Sequence, residues 1–170
     1  MFVGGITTNL LYHKPYALYT CCPVTNHCAK GLLRVAGGSF ATDGTLWVSQ
    51  DGEGVLEVGP SGAVTAANVT LTNPPAALTG GADLAAKVRF NANAQGLGTV
   101  AVSGALTIGP GATLEVDSTA LEAHGIFPLI TFGTCAGEFA SVTLTGPGAV
   151  VKRAGGYVLD RSSRTMVIIR

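Results

Sequence analysis

From residue 31 onward, apolar and polar positions alternate in short runs, and each run is closed by a glycine-rich turn. The runs are residues 32–35, 45–49, 55–58, 68–72, 87–91, 99–102, 105–108 and 112–117, then 127–132, 139–145, 149–152, 157–160 and 165–169. Each is four to seven residues long, which is strand length and below helix length. In Val55-Leu56-Glu57-Val58 and Thr113-Leu114-Glu115-Val116 the leucine and the carboxylate fall on opposite faces of a strand. Only residues 82–87 (ADLAAK), after Gly80-Gly81, and 118–124 (STALEAH), with a cap at Ser118, have helical character. Each amounts to one or two turns, marginal in isolation.

A turn motif recurs. Leu56-Glu57-Val58-Gly59-Pro60-Ser61-Gly62-Ala63 matches Leu106-Thr107-Ile108-Gly109-Pro110-Gly111-Ala112, and Leu144-Thr145-Gly146-Pro147-Gly148-Ala149 is a third copy. Each reads as strand, sharp turn, strand. Glycine supplies positive φ and proline fixes φ near −65° at the corner. The copies lie 50 and 37 residues apart. A recurring corner at an irregular interval suits a solenoid whose coils differ in length.

The expected architecture is therefore all-β: a parallel β-helix, or β-solenoid, over residues 31–170. Its inward Val, Leu and Ile would stack from coil to coil, with Thr, Ser and Asn outside. The competing architecture is an antiparallel β-sandwich, which also uses many short strands. Asn-Gly hairpin signals are missing, and Asp43-Gly44 and Asp51-Gly52 are the nearest to them. Residues 1–30 differ from the rest. They hold Tyr12, Tyr16 and Tyr19, three of the four cysteines and two of the three histidines, and read as an irregular leading segment or cap.

Composition agrees. Glycine supplies 24 of 170 residues, about twice the usual share, beside abundant Val, Thr, Leu and Ala. Glycine has no period of three, which excludes collagen. Charged residues are 12% and the formal net charge is zero, so there is no electrostatic footprint for nucleic acid or an anionic membrane. No apolar run reaches the roughly 18 residues of a membrane-spanning helix. A surface of low net charge repels itself weakly, which favours self-association. The end of the chain is the exception, with Lys152, Arg153, Arg161, Arg164 and Arg170 against Asp160. It reads as a solvated strand end, or as a contact patch for an acidic partner.

One resemblance bears on the fold. Gly44-Thr45-Leu46-Trp47-Val48, followed by Gly52-Glu53-Gly54-Val55-Leu56-Glu57-Val58-Gly59-Pro60-Ser61-Gly62-Ala63-Val64-Thr65-Ala66, resembles autotransporter-associated β-strand repeats. Residues 105–116 look like the same unit. Phe127-Pro128-Leu129-Ile130-Thr131-Phe132, Gly137-Glu138-Phe139 and Tyr157-Val158-Leu159 look like the closing coils of such passengers. The resemblance covers residues 31–170. It implies a right-handed parallel β-helix in a bacterial surface or secreted protein, and no shared catalytic residues. The Cys-rich start departs from the family. So do residues 1–11, which lack the basic region and A-x-A site of a secretory signal.

The candidate chemistry is sparse. Cys21, Cys22, Cys28 and Cys135 are disulfide candidates in an exported protein. Adjacent cysteines seldom pair, so two connectivities remain, and both tie Cys135 to the leading segment. Free thiols are the other reading. Cys21, Cys22, His27 and Cys28, with His13, lack the spacing of a zinc site. No pattern supports a cysteine nucleophile paired with His27 or His124. Asp43, Asp51 and Glu53 cluster near Arg34 without a D-x-D-x-D loop, so they read as turn residues rather than a calcium site. Glu57 and Glu115 occupy equivalent repeat positions and read as outward strand residues. Trp47 reads as core filler, or as a sugar-stacking platform. Asn68-Val69-Thr70 is a glycosylation sequon, and Thr70-Leu71-Thr72 and Thr143-Leu144-Thr145 are isolated T-x-T strands that make no ladder. Gly59, Pro60, Gly62, Gly109, Pro110, Gly111, Gly146, Pro147 and Gly148 are expected to serve as structural turns.

The sequence thus points to a non-catalytic structural or adhesive surface element, extracellular or at the cell surface, without cofactor or metal. Its expected partners are further copies of itself or neighbouring domains of a longer chain, joined through open strand edges. The alternative is a carbohydrate-binding or pectate-lyase-like β-helix, with a surface glycan as partner. That alternative needs aromatics and carboxylates, in which the chain is poor.

Overall fold

The computed structural model describes residues 30–49, 53–72 and 85–162. Every regular element within them is a strand. The strands are β1 (Lys30–Val48), β2 (Glu53–Leu71), β3 (Lys87–Asn91), β4 (Thr99–Ile108), β5 (Thr113–Asp117), β6 (Ile126–Ala136), β7 (Ser141–Thr145), β8 (Ala149–Arg153) and β9 (Gly156–Asp160). They form one sheet in the order β7-β5-β3-β2-β4-β6-β9-β8, with β1 beside β2. Every pairing among β1 to β7 is parallel. Only β9 runs antiparallel, to β6 and to β8. A short turn at 146–148 joins β7 to β8, the two ends of this order, so the wall comes back on itself as a nearly closed, barrel-like sheet. The antiparallel sandwich does not fit this mostly parallel pairing.

The register sorts the chain into three rows. Residues 30–35 of β1, 53–58 of β2, then β3, β5 and β7 lie side by side in the first. Residues 37–42, 61–66, 99–102 and 130–132 form the second, and 45–48, 68–71, 105–108 and 134–136 the third. The register slips where one row passes to the next, between Val35 and Gly37 and between Thr42 and Thr45 in β1. Those slips let a 19-residue strand bend and continue.

In-register pairing puts like residues on like. The column Leu33, Leu56, Val88, Leu114, Val142 runs through the first row, and so does Val35, Val58, Phe90, Val116, Leu144. Phe40, Val64, Val100 and Ile130 stack in the second row, and Leu46, Val69, Leu106 and Cys135 in the third. The middle members of these columns are fully buried and form the core. Each buried Val, Leu or Phe contributes about 1.5–3 kcal/mol over its exposed state. The columns open at the ends, where Val142 is 45% exposed.

The rows meet tightly at glycine. A Cβ on Gly98 would lie 2.5 Å from Val58 Cγ1 and 2.6 Å from the Gly62 carbonyl oxygen, and would collide with the Gly59 oxygen. The first turn motif is therefore a corner inside β2 rather than a break between two strands. Gly109-Pro110-Gly111 carries the chain from β4 to β5, with Ala112 N–H donating to the Gly109 carbonyl at 3.3 Å and Gly111 at φ +81°. Gly146-Pro147-Gly148 turns β7 into β8, with Gly146 at φ +97° and Gly148 at φ +120°. One motif serves three connections.

Three expectations need correction. Residues 118–124 are not helical: a turn at 119–120 is closed by Leu121 N–H donating to the Ser118 carbonyl at 3.1 Å. The Ser118 hydroxyl, expected to cap a helix, donates instead to the Pro147 carbonyl at 2.9 Å. Of residues 82–87, Ala85 and Ala86 are buried without helical structure and Lys87 starts β3, while 82–84 lie outside the described residues. Trp47 is not core. It points outward with Thr70, Thr107 and Ala136, one position off the inward column of Leu46, and is 53% exposed.

Candidate functional site

The polar candidates converge on the outer surface of the first row. Each pass of the chain there carries an apolar–polar–apolar triplet, so the middle residue faces out. Arg34, Glu57, Arg89, Glu115 and Thr143 stack in register, and the first four alternate in sign. Arg34 Nε lies 3.0 Å from Glu57 Oε1, and Arg89 Nη2 lies 2.8 Å from Glu115 Oε2. Arg89 Nη1 is also 3.9 Å from Glu57 Oε2, and Asn91 Nδ2 donates to Glu57 at 3.2 Å. Lys87 pairs with Glu53 at 3.5 Å. Glu57 and Glu115 thus share one surface, two strand spacings apart, about 10 Å. The Arg89 guanidinium fills the space between them, where a glycosidic oxygen would have to sit. These partly exposed pairs are worth tenths of a kcal/mol to about 1 kcal/mol each. The pattern was readable in Leu33-Arg34-Val35, Leu56-Glu57-Val58, Val88-Arg89-Phe90 and Leu114-Glu115-Val116. Their alternation in sign appears only when the triplets are stacked.

The remaining chemistry is dispersed. Cys135 has no disulfide partner among the described residues and lies half-buried at the end of the Leu46 column. Cys21, Cys22, Cys28, His13 and His27 lie outside the described residues, as do Asp51, Arg164 and Arg170. Asp43 is exposed on β1. Among the described residues no three His, Cys, Asp or Glu side chains could hold a metal ion. Asn68 is engaged structurally: its side-chain oxygen accepts from Ala105 N–H at 3.0 Å where β2 and β4 slip register. His124 Nδ1 lies 3.4 Å from the Arg161 carbonyl, beside an open depression that also includes Gly148, Val151 and Asp160.

The two ends of the wall are built differently. At the far end the β8–β9 hairpin lies across β6. Tyr157, 5% exposed, packs edge-on against Phe139 (centroids 5.1 Å) and Phe132 (6.2 Å), with Lys152 Nζ 5.8 Å above its ring. Lys152 pairs with Glu138 at 3.1 Å and Arg153 with Asp160 at 3.3 Å. The Arg161 guanidinium donates to the Leu121 and Ala123 carbonyls, tying the exit of β9 to the loop before β6. Of the five cations read as a solvated strand end or a contact patch, the three described are engaged within the chain. At the near end, β1 pairs with β2 alone. Among the described residues its other edge, 19 residues long, has no strand beside it.

Comparison with protein-family models, with curated proteins and with solved structures gives no match.

The far end has a pH signature. Burial pushes the Cys135 thiol above its ordinary 9.0 and the Tyr157 phenol above its ordinary 10.0. The hydrogen bond to Glu138 raises Lys152 above 10.5. The folded protein therefore holds all three protons more tightly than the unfolded chain. Their contribution is fully present at neutral pH and is lost as pH rises through the folded values. The thermal midpoint should fall as pH rises above about 9.5. Tyr157→Phe should reduce the alkaline part of that fall. A midpoint that rises between pH 9 and 11 would contradict the packing at this end.

Proposed function

We propose that this chain is a non-catalytic structural or adhesive element of a bacterial surface, a right-handed parallel β-helix of the autotransporter-repeat kind. On this reading each pass through the three rows is one coil, and the chain associates with further copies through an open strand edge. The observation that carries the reading is the 19-residue outer edge of β1, without a strand partner among the described residues. The edge strand of a sheet is a template for another strand. In-register apolar columns and low net charge support stacking as the mode of assembly. The test is mass in solution by light scattering over a hundredfold range of concentration. Mass should rise with concentration, and a constant monomer mass would contradict the proposal.

The exposed indole of Trp47 favours a second reading, a glycan stacked on that ring. If so, Trp47→Ala abolishes retention on the glycan and leaves the mass profile unchanged.

A further inference from the structure

We draw no further inference here: the strongest candidate, the open depression between the β7–β8 turn and the exit of β9, lined by His124, Gly148, Val151, Asp160, Arg161 and Ser162, carries nothing, because its polar side chains are engaged within the chain, the chain continues from its rim at Ser162 into residues outside those described, and nothing in the structure shows what occupies it.

Discussion

Replacing Phe90 by alanine should lower the stability of the protein by about 3–5 kcal/mol. Phe90 is fully buried on β3, between Val58 and Val116 in the column that opens with Val35. Among the described residues it is the largest fully buried side chain. Its neighbours are held by backbone pairing on both sides and cannot close over the space. The cost should therefore lie near the upper end of that range, because a cavity that cannot collapse keeps its full penalty. Urea unfolding measures it directly. The midpoint should fall with little change in slope, since the surface exposed on unfolding is nearly the same. A loss below about 1 kcal/mol would mean that the column is loosely packed or that Phe90 is misplaced.

The second large effect comes from adding one methyl group. Gly98→Ala should cost about 3 kcal/mol, although alanine is a milder residue than glycine in most strands. The corner leading into β4 sits on the corner inside β2. A Cβ there meets the Gly59 and Gly62 carbonyl oxygens and a Val58 methyl group, all too close for real contact. Two of the three are backbone atoms, so relief requires moving the chain. Gly96→Ala, two residues earlier, is the control. A Cβ at Gly96 meets nothing within 4 Å, and the change should stay within about 0.5 kcal/mol. Equal effects at the two sites would contradict the stacking of the corners.

Much of this fold was legible because its columns repeat one local pattern. Residues 87–91 alternate cleanly and are β3 as expected, and 55–58, 99–102, 105–108 and 157–160 all lie in strands. The second row of β1 and β2 was not legible. Gly37-Gly38-Ser39-Phe40-Ala41-Thr42 and Ser61-Gly62-Ala63-Val64-Thr65-Ala66 have small, weakly strand-forming residues. They are strands because neighbours in register pair with them on both sides of β2. Pairing direction was equally hidden: 149–152 and 157–160 read like the earlier runs, yet β8 and β9 form an antiparallel hairpin. Trp47 shows the limit of burial inferred from residue type. Its position in the alternation, not its size, sends it outward. For the candidate site, Glu57 and Glu115 were recognised as equivalent outward positions. Arg89, which stands between them, was not, because it belongs to a pass of the chain without the turn motif.

Hydrogen–deuterium exchange at two protein concentrations, one below and one above the onset of association, tests the central claim most directly. It asks which backbone amides gain protection when copies meet. The expected result is slowed exchange confined to peptides from Lys30–Val48, with β6 to β9 unchanged. Protection arising at β7 or the β8–β9 hairpin, or no concentration dependence along β1, would contradict it.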